Sequence, residues 1–181
     1  DKEEIKEKLE ELVERVVREL EKLLKELEDL SREVARRIKK IARDLEKLTK
    51  EVEEKLRRRP KTEELTELVK RLKEHSERLR RRIEELLRRL EEDSRRLVER
   101  IKKLVKDLRD DVRRLKELID RGELSEEELE RLIKELVDRA RKLLEEVKKL
   151  IEDHREKLKR VLDEIKDLLR KHKETLDRTD T

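Results

Sequence analysis

Three imidazoles and four serine hydroxyls, His75, His154 and His172 with Ser31, Ser76, Ser94 and Ser125, are the side chains from which nucleophilic catalysis or nitrogen ligation of a metal would have to be built in this sequence. A histidine within reach of a serine activates the hydroxyl for acyl transfer, and converging imidazoles hold zinc or copper. Their spacing is regular. His154 and His172 lie 18 residues apart on a line that begins at Leu136, Ser76 and Ser94 lie 18 apart on a line that continues to Val112, and Val13, Ser31 and Thr49 form a third such line. Other chemistries are absent from the alphabet. The 181 residues contain no Cys, Met, Phe, Trp or Tyr, which excludes disulfides, thiolate metal sites, thiol catalysis and aromatic stacking platforms.

The elements that carry these lines follow from two breakers. Pro60 and Gly122, the single proline and the single glycine, divide the chain into three nearly equal parts dominated by Leu, Glu, Lys and Arg, all strong helix formers. Helices are predicted over about Lys2–Arg58, Glu63–Ile119 and Glu126–Asp177, with Thr179–Thr181 fraying. Pro60 stops the first helix and Thr62 caps the second, while Gly122 suits a position of positive φ and Ser125 with Glu128 forms a capping box for the third.

The apolar residues recur in steps of 4, 3, 4, 4 and 3, as in Ile5, Leu9, Leu12, Val16, Leu20 and Leu23, so five contacts occupy 18 residues. That is about 3.6 residues per contact, the pitch of a straight α-helix, whereas a heptad seam would impose a left-handed supercoil. The pattern predicts an all-α fold: one domain over residues 1–181, a single-chain antiparallel up-down-up three-helix bundle. Its helices of about 57 residues would be nearly straight and roughly 85 Å long. With 32% hydrophobic residues against 60% charged, the core is expected to be thin.

Antiparallel folding through two short turns places residue i of the first helix level with about 121 − i in the second, and residue j of the second level with about 245 − j in the third. Ser31, Ser94 and His154 then share one level, and Thr49, Ser76 and His172 share another. Each layer is expected to be a buried hydrogen-bonded cluster that fixes helix register, because any slip orphans a donor. A catalytic role is not assigned to any residue, since no carboxylate lies on the inner lines and no glycine-rich turn offers an oxyanion hole; the chain reads as not an enzyme. His154 and His172 are about 27 Å apart along one helix and cannot share an ion. His75 sits one position off the inner line, at about the level of His172, and is expected at the boundary, half in solvent, with a weak two-histidine ion site as the alternative. No metal or other cofactor is assigned. Burial is expected to lower the pKa values of His154 and His172.

Lys and Arg number 56 and Asp and Glu 52, giving a net charge of +4 with the two signs interspersed. The densest basic runs, Arg57–Arg59 and Arg80–Arg82, fall at a helix end and just before Glu84 and Glu85, so no nucleic-acid partner is expected. Nothing approaches 18 consecutive apolar residues, and neither a membrane span nor a signal peptide is expected. The chain reads as a soluble monomer that requires no partner, with a homo-oligomer paired along an edge such as Val17, Leu24 and Ala35, or a designed partner, as the alternatives.

The reduced alphabet, the Glu and Lys/Arg surface, the Leu/Ile/Val core, the Ser125 to Glu128 cap and the strict 18-residue repeat resemble de novo designed, parametric three-helix bundles. The Ser/Thr/His pattern resembles the buried hydrogen-bond networks placed at chosen layers of such designs. This resemblance covers the whole chain and implies a hyperstable scaffold with no natural substrate and no natural compartment, cytoplasmic when expressed recombinantly. Spectrin-like repeats are heptad-based with aromatic anchors, and exchangeable apolipoproteins are often punctuated by regular prolines; neither pattern is present here. The alternative function is a pH-responsive or self-assembling helical module that uses its buried histidines.

Overall fold

The computed structural model describes residues 1–180. They form three α-helices: α1 (Lys2–Arg57), α2 (Glu63–Arg121) and α3 (Glu126–Asp180). The fold is all-α, with no strand among the described residues. The helix ends follow local chemistry. The Thr62 hydroxyl accepts the Leu65 N–H at 3.1 Å and the Ser125 hydroxyl accepts the Glu128 N–H at 3.2 Å, so each N-cap satisfies a donor that lacks an intrahelical partner. Gly122 has φ 66° and its N–H donates to the Ile119 carbonyl, which closes α2 two residues later than expected. The third helix runs on through Thr179, whose hydroxyl donates to the Thr175 carbonyl, in place of the expected fraying; Thr181 lies outside the described residues.

Burial repeats with the 18-residue period. Leu20, Ile38 and Leu56 in α1, Ile83, Ile101 and Ile119 in α2, and Ala140, Leu158 and Leu176 in α3 are all buried. Equivalent positions therefore point the same way turn after turn, as a helix of 3.6 residues per turn requires. The inward arc is rotated slightly from the expected stripe. Leu12, placed on the seam by its spacing, is 38% exposed, whereas Val17 and Ala35, expected on a pairing edge, are buried. A helix that touches two neighbours must centre its apolar arc between them, and that centre lies on the Leu9, Val13 and Val17 side.

Contacts divide the chain into two compact units. The first comprises residues 1–29 and 94–155, with a core that includes Leu9, Val17, Leu20, Ile101, Leu108, Leu136 and Val147. Within it, Lys6 pairs with Asp120, Glu10 with Lys116, and Glu21 with Arg109. Rising numbers in α1 meet falling numbers in α2, so these segments are antiparallel. Asp111 with Arg139 and Arg100 with Glu146 show the same for α2 and α3.

The second unit comprises residues 30–93 and the described residues from Glu156 onward. Its core includes Ile38, Leu45, Ile83, Leu90, Leu158 and Ile165, and a further cluster joins Val52, Leu56, Leu72 and Leu176. Lys39 pairs with Glu91, Arg82 with Glu164, and Lys157 with Asp93. Between these two apolar clusters α1 contributes Thr49, α2 His75 and α3 His172.

Candidate functional site

His172 is completely buried in the second unit, and both of its ring nitrogens are engaged. Its Nε2 lies 3.1 Å from Thr49 Oγ1, and its Nδ1 lies 2.9 Å from His75 Nδ1. The proton positions follow by elimination. Thr49 spends its one hydroxyl proton on the carbonyl of Leu45, one turn back in α1, at 2.8 Å. Thr49 must therefore accept from His172, which places the His172 proton on Nε2. Neutral His172 then has a lone pair on Nδ1, and His75 donates to it through its own Nδ1–H. The result is a one-directional chain from His75 through His172 and Thr49 to a backbone carbonyl, linking all three helices.

The two imidazole planes are within 2° of parallel, with centroids 5.0 Å apart. Nitrogens 2.9 Å apart are closer than the roughly 3.5 Å of face-on contact, so the rings meet edge to edge in nearly one plane. This is the geometry of an in-plane N–H···N bond. Burial, and after it the positive charge that His75 carries when protonated, hold the His172 imidazole down to about 4.

The layer differs from the expected Thr49, Ser76 and His172. Ser76 Oγ is buried and has no hydrogen-bond partner among the described residues. With both nitrogens of His172 already used, nothing on that ring remains for Ser76. His75 precedes Ser76 by about 100° around α2, and its longer side chain takes the contact instead. His75 is half-buried, as its boundary position implies, but it is a member of the cluster rather than a bystander. The available signal was its level: it lies opposite His172 in the antiparallel register.

The other expected layer differs as well. In the first unit Ser94 Oγ and His154 Nε2 are 2.8 Å apart and both residues are buried. Ser31 belongs to the second unit, and its buried Oγ has no hydrogen-bond partner among the described residues. Ser31 thus takes no part in the Ser94–His154 hydrogen bond. A serine hydroxyl reaches only one or two atoms beyond Cβ, so a difference of a fraction of a turn decides whether it bonds, and residue spacing alone resolves level no better than that.

The second unit also has an open groove of about 320 Å³ between α1 and α2. Its floor is Ala42, Leu45, Thr49, Ser76 and Ile83, and its rim carries Lys50, Lys73 and Arg80 with Glu46, Glu53 and Glu77. Among the described residues no group of three or more His, Asp or Glu is placed to hold a metal ion, and no helix is long and apolar enough to cross a membrane.

No curated protein and no solved structure matches the chain. A family model does, over most of its length: residues 30–176 match the nematode fatty acid retinoid binding protein (Gp-FAR-1) family, and the chain belongs to that family.

Proposed function

We propose that this chain is a non-enzymatic helical scaffold, of designed origin, whose buried polar contacts select the register of its helices. The observation that carries this reading is the directional chain from His75 through His172 and Thr49 to the Leu45 carbonyl. The His172 ring uses both nitrogens and Thr49 both its donor and its acceptor, so a shift of any helix by a turn would orphan a buried donor, at about 1–3 kcal/mol for each group. Ser94, which is bonded to the His154 imidazole, is 5% exposed, which speaks against a nucleophile that must meet a substrate. The thirteen-letter alphabet and the 18-residue repeat support design. No metal, cofactor or obligatory partner enters this reading. The buried imidazole also supports acid-responsiveness as a secondary property of the same cluster.

Membership of the fatty acid retinoid binding family favours a second reading, a carrier of an apolar ligand. The groove floored by Ala42, Leu45 and Ile83 is the place for it, although at about 320 Å³ and open to solvent it stands at the low end of pockets that enclose a ligand. Fluorescence titration with retinol and with a fluorescent fatty acid separates the two. The scaffold reading expects no saturation; saturable binding abolished by Ala42→Glu would replace it with the carrier.

A further inference from the structure

We infer that His75 and His172 form a two-coordinate site for a monovalent d10 metal ion of the Cu(I) or Ag(I) class. Their Nδ1 atoms face each other 2.9 Å apart with the rings nearly coplanar, so the two in-plane lone-pair directions fall close to one line. The outer shell is already in place. Thr49 holds the His172 Nε2–H and is itself held by the Leu45 carbonyl, which leaves Nδ1 as the free electron pair and fixes the ring, as the second-shell partners of metal-bound imidazoles do.

Metal–nitrogen bonds of about 2 Å, the length known for zinc–imidazole, would set the nitrogens of a linear site about 4 Å apart, so the pair must open by about 1 Å. His172 is sealed in the core, but His75 is half-buried and can withdraw toward solvent. Coordination number selects the ion. No third His, Asp or Glu joins the pair among the described residues, which disfavours four-coordinate zinc and the six- to eight-coordinate hard cations, and suits an ion content with two nitrogens. The chain has no Cys and no Met, so imidazole is its softest donor and nothing softer competes. The exchange balances without redox: the ion takes both Nδ1 lone pairs, and the proton on His75 Nδ1 passes through water to its own Nε2.

Titration of the full chain, 15N-labelled at histidine, with silver nitrate in chloride-free buffer at neutral pH tests the site. Uptake should saturate at one ion per chain and move the Nδ1 resonances of His75 and His172 while leaving those of His154 in place. His75→Ala, a change at a half-buried position whose folding is checked by circular dichroism, should abolish the saturable step. Thr49→Val should weaken it roughly 10- to 100-fold. Absence of saturable uptake, uptake by His75→Ala equal to that of the parent, or shifts centred on His154 would each overturn the inference.

Discussion

His75 Nδ1 and His172 Nδ1 stand 2.9 Å apart in nearly one plane, and a single proton serves both nitrogens. With that proton on His75 the contact is a hydrogen bond. Once His172 is also protonated on Nδ1, two N–H groups face each other and the hydrogen bond between the rings is lost.

Acid should therefore weaken the fold through His172. Its folded-state pKa is about 4, held down first by burial and then by the charge of His75, against about 6.5 for an unfolded histidine. Between these values the unfolded chain binds the proton and the folded chain does not. The stabilising contribution is thus complete above about pH 6.5, declines as pH falls toward 4, and levels off below; the whole change is about 3 kcal/mol. Urea unfolding at a series of pH values should show this decline in the parent and a smaller one in His172→Leu; parallel profiles for the two proteins would count against it.

Thr49→Val keeps the shape of the side chain and removes the acceptor of the His172 Nε2–H. It also releases the Leu45 carbonyl, which keeps its helical partner. The orphaned imidazole N–H is buried, and the loss of stability should be about 1–3 kcal/mol, read as a lower urea midpoint with an unchanged slope. A midpoint equal to that of the parent would mean the bond is not formed in solution.

Ser31→Ala and Ser76→Ala should behave in the opposite way. Each removes a buried hydroxyl that has no hydrogen-bond partner among the described residues, so each should be neutral or stabilising by up to about 1 kcal/mol. Ser94→Ala should destabilise, because it strips the partner from His154 Nε2. Thermal unfolding of the three variants side by side checks the contrast, and equal losses at all three positions would contradict it.

At the second turn, Gly122→Ala should destabilise by about 1–2 kcal/mol, since φ is 66° and a Cβ is strained there. The nearest atom to that Cβ is the flexible end of Lys2, 3.0 Å away, which can move aside, so backbone strain rather than crowding is the cause. Gly122→Asn should lose less, because asparagine tolerates the left-handed region. Calorimetric midpoints in the order Gly, Asn, Ala would agree; Asn falling below Ala would not.

A fifth comparison concerns two leucines of the same repeat. Leu20→Ala empties a fully buried site and should cost about 2–5 kcal/mol, whereas Leu12→Ala, at a position 38% exposed, should cost far less. Similar losses would show that the inward arc is centred elsewhere.

The sequence by itself determined the three helices and their ends, because a proline, a glycine and two hydroxyl caps act over three or four residues and need no partner from afar. It also determined the buried lines, since an 18-residue period returns each position to the same side of a helix, as Leu20, Ile38 and Leu56 show. It placed Thr49 and His75 level with His172, and Ser94 level with His154, to within about one turn. Which of them bond was decided only in the tertiary structure. A hydrogen bond tolerates a few tenths of an ångström, while a residue count resolves position to about 1.5 Å along the axis and says nothing of side-chain reach. Hence Thr49 and His172 meet but Ser76 does not, His75 enters from the boundary, and the Ser31 hydroxyl has no hydrogen-bond partner among the described residues. The rotation of the apolar arc that exposes Leu12 and buries Val17 is of the same kind, set by where two neighbouring helices lie rather than by anything within one.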